Sequence, residues 1–276
     1  MKIGAHVEIP GAGLPYRQAF PLLKKLGAQG VELVMKEGGL LSLDSRDADF
    51  LKVRQLAREE GLAISGLTNG YSWTLPMTSA RESTRRAGED AMKRALEGAA
   101  LLGADSLLIV PGYARTEFVT PSEVHPVPVA LERARAGVER AAQYAGEVGV
   151  SLNVEVVWGG MLRTPEEMRR FFEEVDSPFL GLYLDTGNVY PECGPVEWIH
   201  AMGGAIRRVH VKDYLPGRPG LEAFCSLGKG QVDFRAAVQA LKNAGYDGWL
   251  GAEHHIAKNV PEAAHTLDFL RNLAAG

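Results

Sequence analysis

The chain has 276 residues, two cysteines and a formal net charge of −4. Its length is near the ~250 residues of one α/β barrel, so residues 1–276 are predicted to form a single domain. The acidic balance disfavours a nucleic-acid partner, and two cysteines exclude a disulfide framework. No run of roughly 18 apolar residues indicates a membrane span. Since the start of the sequence also lacks a signal-peptide pattern, we expect a cytoplasmic protein with no membrane partner.

Eight short apolar runs alternate with longer amphipathic segments. Most runs are rich in Val, Ile and Leu without polar alternation, which is typical of strands buried on both faces. In chain order the predicted strands are Lys2–Ala5, Gly30–Val34, Ala63–Leu67, Ser106–Val110, Leu152–Val156, Gly181–Leu184, Arg208–Val211 and Trp249–Glu253.

Helical patterns lie between these strands. They cover Asp44–Glu60, Ala80–Leu102, Val127–Val148, a segment opening at Thr164, Asp233–Ala244 and Pro261–Leu273. The alternation predicts an α/β fold, a single (β/α)8 TIM barrel with right-handed crossovers. A doubly wound open sheet is the alternative. The count of eight strands and the lack of G-x-G-x-x-G after the first one disfavour it.

Four predicted strands in succession end in a carboxylate or an imidazole, namely Glu155, Asp185, His210 and Glu253. Each residue alone is as well explained by a rim ion pair, a loop cap or a core histidine. Together they would meet at the end of the barrel where active sites form, and three carboxylates cannot stay ionised side by side without a cation. One divalent metal ion is therefore predicted. The oxygen-rich set suits Mn²⁺, Mg²⁺ or Co²⁺ and leaves Zn²⁺ open.

Other residues that follow predicted strands are candidates for binding a substrate. They are His6, Trp73, Trp158, Asn188, Lys212 and Arg218. The two tryptophans would stack on a sugar ring, with loop packing as the alternative. Lys212 and Arg218 would bind a phosphate or a hydroxyl group, with a solvated loop as the alternative. His6 would face the substrate or bond to barrel backbone.

Two further features have weaker interpretations. Glu32 interrupts an apolar run and would belong to a polar layer inside the barrel. His254 and His255 follow Glu253, and because adjacent side chains point to opposite sides, at most one of them would support the metal site.

The segments Val154–Glu155, Leu184–Asn188, Val209–Asp213, Leu227–Asp233 and Gly251–Glu253 resemble the xylose isomerase-like TIM barrels, the sugar-phosphate isomerase/epimerase group that includes ketose 3-epimerases and hydroxypyruvate isomerase-like proteins. The resemblance spans nearly the whole chain. It implies that the four strand-end residues bind one metal ion and that the two glutamates serve as acid and base. Asn188 stands where many of these epimerases have His, and Pro216 where they have Arg, which leaves phosphorylated or acidic sugars open.

The predicted function is a metal-dependent sugar or sugar-phosphate isomerase or epimerase that moves a proton next to a carbonyl through an enediolate, with Glu155 and Glu253 as catalytic residues. An inosose-type dehydratase on the same metal site is the alternative. An apurinic endonuclease, which needs three zinc ions, is disfavoured by the acidic balance and by seven histidines in all. The intact ligand set disfavours a non-catalytic sugar-binding barrel. The resemblance also leaves a homo-oligomer open.

Overall fold

The computed structural model describes residues 1–9, 11, 13–117, 119, 122–253 and 259–276. The barrel strands are β1 (Lys2–His6), β2 (Gly30–Met35), β3 (Ala63–Asn69), β4 (Ser106–Ile109), β5 (Ser151–Glu155), β6 (Leu180–Asp185), β7 (Ile206–Val211) and β10 (Trp249–Ala252). The helices are α1 (Tyr16–Lys25), α2 (Asp47–Glu59), α3 (Glu82–Leu102), α4 (Val127–Val148), α5 (Pro165–Val175), α6 (Pro195–Met202), α7 (Phe234–Asn243) and α8 (Val260–Ala275). A small hairpin pairs β8 (Asp213–Tyr214) with β9 (Phe224–Cys225).

The strands close into a parallel barrel in the order β1-β10-β7-β6-β5-β4-β3-β2. The first strand pairs with the last, Ile3 opposite Leu250, and this pairing completes the ring. The predicted single (β/α)8 TIM-barrel fold is therefore confirmed. The continuous apolar runs are explained by their position, since a barrel strand packs inward on the lumen and outward on the helices.

Glycine ends two of the long helices as the pattern predicts. Gly103 and Gly149 follow α3 and α4 with φ values of +75° and +70°, a left-handed conformation that a residue without Cβ adopts readily. Each helix stops there, and the chain turns directly into the next strand. These helices bury alanine-rich faces, such as Ala91, Ala95 and Ala99 of α3, against the barrel.

Helices α1 and α6 and the hairpin are not among the predicted elements. Helix α1 holds Pro21 in its interior, where proline removes a backbone donor, and its pattern is therefore a poor helix signal. Helix α6 has only eight residues, and the hairpin strands have two residues each. Such short elements form through tertiary contacts. Within the described part of the chain, no helix is both long and apolar enough to cross a bilayer.

Candidate metal centre

The four predicted metal ligands come from four adjacent strands. Glu155 and Asp185 are the last residues of β5 and β6, His210 is the second-last residue of β7, and Glu253 follows β10. The register places Asp185 directly beside His210, and His210 beside Gly251, two residues before Glu253. The carboxyl ends of the strands thus deliver all four side chains to one end of the barrel, where such folds build their sites.

We call these four residues the cage. One potential ligand atom from each lies within 4.8 Å of the other three. His210 Nδ1 is 3.2 Å from Glu155 Oε1 and 3.9 Å from Asp185 Oδ2. Around an octahedral ion with bonds of about 2.1 Å, adjacent ligand atoms lie about 3.0 Å apart and opposite ones about 4.2 Å apart. The residues therefore fit a single divalent ion after shifts of a few tenths of an ångström.

The turn after β6 aims one oxygen of Asp185 into the cage. Its other oxygen, Oδ1, accepts hydrogen bonds from the backbone N–H groups of Gly187 and Asn188 at 2.9 and 2.8 Å. Oδ2 is buried and lies 3.0 Å from the ammonium of Lys212. Thr186 ties the turn to β7, because its Oγ1 accepts from Lys212 N and donates to Lys212 O. The local sequence thus presents a pre-oriented, solvent-free carboxylate oxygen.

Burial and neighbouring charges shift the pKa values of two cage residues, Glu155 and His210. Desolvation raises the pKa of Glu155 to about 7, against the lowering effect of the neighbouring His210, and Glu253 and Asp185 add to the rise. Burial alone would lower the pKa of His210, but the carboxylates of Glu32 and Glu155 raise it well above its ordinary value. The cage therefore holds protons that a divalent ion would displace when it binds.

The ammonium of Lys212 contacts two of the cage carboxylates. Its ammonium is 3.0 Å from Asp185 Oδ2 and also forms an ion pair with Glu253, and the Lys212 side chain is only 3% exposed. Burial would lower the pKa of Lys212, but the surrounding carboxylates raise it above its ordinary range. Lys212 also donates to Asn188 Oδ1 at 3.3 Å. The structure thus brings two predicted substrate-binding residues to the cage.

An aromatic cluster adjoins the cage on the side of the hairpin. The Lys212 ammonium lies 4.3 Å from the ring centroid of Phe224, which stacks on Trp158 at 5.0 Å. Trp158 Nε1 donates to the backbone oxygen of Asn188, and the Trp158 ring forms a T-shaped contact with Tyr214. A flat apolar surface beside polar groups is typical of a sugar-binding site.

The structure gives the following positions for the other predicted site residues. His6 ends β1, is buried, and its Nδ1 accepts the backbone N–H of Glu8, which agrees with the backbone alternative. Trp73 stacks on Tyr113 with centroids 6.4 Å apart. Arg218 is exposed between β8 and β9. His254 and His255 lie outside the described residues. The substrate-binding roles of these residues stay predictions.

Asp213 is a functional candidate that the sequence pattern did not single out. It is 1% exposed, and its carboxylate accepts backbone N–H groups from Tyr214, Gly228, Gly230 and Val232 at 2.8–3.2 Å. A Cβ on Gly230 would lie 2.2 Å from Asp213 Oδ1, so that position needs glycine. The one available signal was an acidic residue two positions after strand β7, followed by a glycine-rich loop.

Comparisons with known proteins agree with this architecture. The sequence model of the xylose isomerase-like TIM barrel family matches residues 20–273 of this chain. A ketose 3-epimerase of Arthrobacter globiformis is 29% identical over 238 residues, covering 84% of this chain and 78% of that protein. An L-ribulose-5-phosphate 3-epimerase of Escherichia coli is 26% identical over 250 residues, covering 89% and 84%.

The fold also matches solved structures. A crystal structure of D-psicose 3-epimerase in the presence of D-fructose superposes with a TM-score of 0.81 at 19% identity, with complete coverage of both chains. At that identity the likeness shows the fold alone. The family match covers nearly the whole sequence, and the chain therefore belongs to the xylose isomerase-like TIM barrel family.

Proposed function

We propose that this protein is a divalent-metal-dependent epimerase acting on a ketose or a ketose phosphate. The observation that carries the proposal is the cage, in which three carboxylates and one imidazole from adjacent strands converge within 4.8 Å. Relatives named as ketose 3-epimerase and L-ribulose-5-phosphate 3-epimerase support the reaction class and the kind of substrate. The oxygen-rich ligand set favours Mn²⁺, Mg²⁺ or Co²⁺ over zinc.

A divalent ion bound here would polarise the carbonyl of the sugar and stabilise negative charge on its oxygen. Proton transfer falls to Glu155 and Glu253. Strands β6 and β7 separate β5, which carries Glu155, from β10, which precedes Glu253, so the two carboxylates reach the cage from the two ends of this row of four strands.

The stereochemical outcome depends on where the second proton goes. One glutamate removes a proton from the carbon beside the carbonyl, and the other delivers a proton to the opposite face of that carbon. This gives the epimer. Removal of a proton from the terminal carbon on the other side of the carbonyl, with delivery to the carbonyl carbon, would give an aldose instead. The placement of the two carboxylates at the two ends of the row of four strands supports epimerisation.

The residues around the cage would orient the sugar. Trp158 and Phe224 offer stacked rings to an apolar face of the substrate, and Asn188 and Lys212 offer polar groups to its oxygens. Trp158 lies in the loop after β5 and Phe224 lies in the hairpin, so two separate loops build this wall.

The test is solvent exchange. Chelator-treated protein reloaded with Mn²⁺ is incubated in D2O with a panel of ketoses and ketose phosphates, and product and recovered substrate are analysed by NMR and mass spectrometry. We expect one deuterium at the inverted carbon. Product without deuterium would contradict proton abstraction, and ultraviolet absorbance from an enone would instead support the dehydratase.

A pair of variants completes this test. Glu253→Gln should abolish turnover and exchange while much of the metal binding remains. Glu222→Gln, an exposed glutamate in the 3₁₀ turn between β8 and β9, is the matched control and should retain activity. Full activity in Glu253→Gln would remove Glu253 from the proposed role.

A further inference from the structure

Glu32 lies inside the barrel although it is a charged residue in an otherwise apolar strand. It is 3% exposed, and three side chains from other strands contact its carboxylate. Thr68 Oγ1 donates to Oε1 at 2.8 Å, and Tyr183 donates its hydroxyl to Oε2 from the opposite wall of the barrel. His210 Nε2 lies 3.1 Å from both oxygens. A buried carboxylate needs such partners, and here one of them is a cage residue.

The two ring nitrogens of His210 face different groups. Nδ1 faces the cage, 3.2 Å from Glu155 Oε1, whereas Nε2 faces Glu32. A neutral imidazole has one nitrogen with a proton and one with a free lone pair, and a metal ion binds only the lone pair. For His210 to serve as a ligand through Nδ1, its proton must therefore lie on Nε2.

The surroundings of Glu32 suit an acceptor for that proton. His210 Nε2 lies 3.1 Å from both oxygens of Glu32, close enough for the carboxylate to accept a hydrogen bond from Nε2–H. Thr68 donates to one oxygen of Glu32 and Tyr183 donates to the other, which fixes the plane of the carboxylate. Each oxygen can still accept a further hydrogen bond, and Nε2–H is placed to donate it.

We propose that Glu32 is a positioning residue that holds the proton of His210 on Nε2 and thereby aims the Nδ1 lone pair into the cage. The proposal rests on the proposed function in taking the cage as a metal site. It assigns Glu32 no contact with metal or substrate. Loss of a carboxylate behind a ligating histidine weakens metal affinity by about 10- to 100-fold in comparable sites.

The test measures metal affinity without substrate. Metal-free wild type and variants are titrated with Co²⁺ at pH 7.5, with its visible absorption and chelator competition as readouts. Glu32→Leu removes the acceptor, whereas Glu32→Gln keeps an amide oxygen that can still accept from Nε2. We expect the dissociation constant to rise about 10- to 100-fold for Glu32→Leu and by a smaller factor for Glu32→Gln.

Thr68→Val is the matched control, because it removes a partner of Glu32 and leaves the acceptor of Nε2 in place. It should bind Co²⁺ within about threefold of wild type. In Zn²⁺-loaded wild type, long-range ¹H–¹⁵N spectra of the imidazole should place the His210 proton on Nε2. If Glu32→Leu does not fold, Glu32→Gln and the spectra decide.

The outcomes separate the two proposals. A folded Glu32→Leu that binds Co²⁺ as tightly as wild type overturns the role of Glu32 and leaves the metal site intact. A proton on Nδ1, or an equal loss in Thr68→Val and Glu32→Leu, overturns it as well. Wild type that binds no Co²⁺ overturns the metal site itself and Glu32 with it.

Discussion

Replacing Lys212 with methionine should destabilise the metal-free protein and do little once metal is bound. The ammonium of Lys212 forms ion pairs with Asp185 and Glu253, and the three side chains are between 0% and 12% exposed. Removing one partner of a buried ion pair costs about 3–5 kcal/mol, because the remaining charges are left uncompensated. A divalent ion in the cage would supply the missing positive charge, so the loss should then be small.

The expected size of the effect follows from the length of the chain. At about 2.1 cal/mol/K per residue, the unfolding entropy of 276 residues is about 0.6 kcal/mol/K. A loss of about 3–5 kcal/mol then lowers the Tm by about 5–9 °C. Melting curves by circular dichroism in EDTA and in excess Mn²⁺ measure both states.

Lys229→Met, at an exposed lysine in the loop after the hairpin, is the control and should melt like wild type in both conditions. An unchanged Tm for Lys212→Met in EDTA would refute the charge argument. An equal loss with and without Mn²⁺ would show that the ion and Lys212 do not neutralise the same carboxylates.

Further predictions concern pH, substrate binding and the hairpin. Glu155 has a folded pKa of about 7 and an ordinary value of 4.5, so its protonated form stabilises the metal-free protein below about pH 4.5 and this stabilisation, about 3 kcal/mol, is lost as the pH rises through 7. Urea unfolding with EDTA between pH 5 and 8 should show this fall in the free energy of unfolding, and Glu155→Gln should flatten it. Trp158→Ala removes the ring stacked on Phe224 and should raise KM about tenfold with unchanged metal affinity. Steady-state kinetics in which only kcat falls would contradict stacking of the sugar on Trp158. Asp213→Asn leaves buried backbone N–H groups without an acceptor and should cost about 1–3 kcal/mol in urea unfolding, with a higher KM because the hairpin loosens; wild-type stability would argue against this role.

The sequence predicts the fold and the cage because both depend on local patterns. The eight apolar runs coincide with the eight barrel strands within two residues at each end, and α4 begins and ends where its pattern does. Glu155, Asp185, His210 and Glu253 converge because parallel strands bring their carboxyl ends to one end of a barrel. Their positions at the strand ends can be read from the sequence once the barrel fold is inferred.

Groups that meet across the barrel are harder to predict. Glu32 and Tyr183 are 151 residues apart in the chain, and their hydrogen bond exists only because β2 and β6 face each other in the closed ring. The position of Lys212 also depends on its whole environment. Its pattern allowed a solvated loop, but the carboxylates of Asp185 and Glu253 draw its ammonium into the barrel.

The most direct test of the account is a calorimetric titration of chelator-treated protein with Mn²⁺. The cage predicts one ion per chain, with proton release on binding and loss of binding in Asp185→Ala, because Asp185 is the fully buried carboxylate whose Oδ2 faces the other ligands. No binding by wild type, or binding unchanged in Asp185→Ala, would contradict the metal centre.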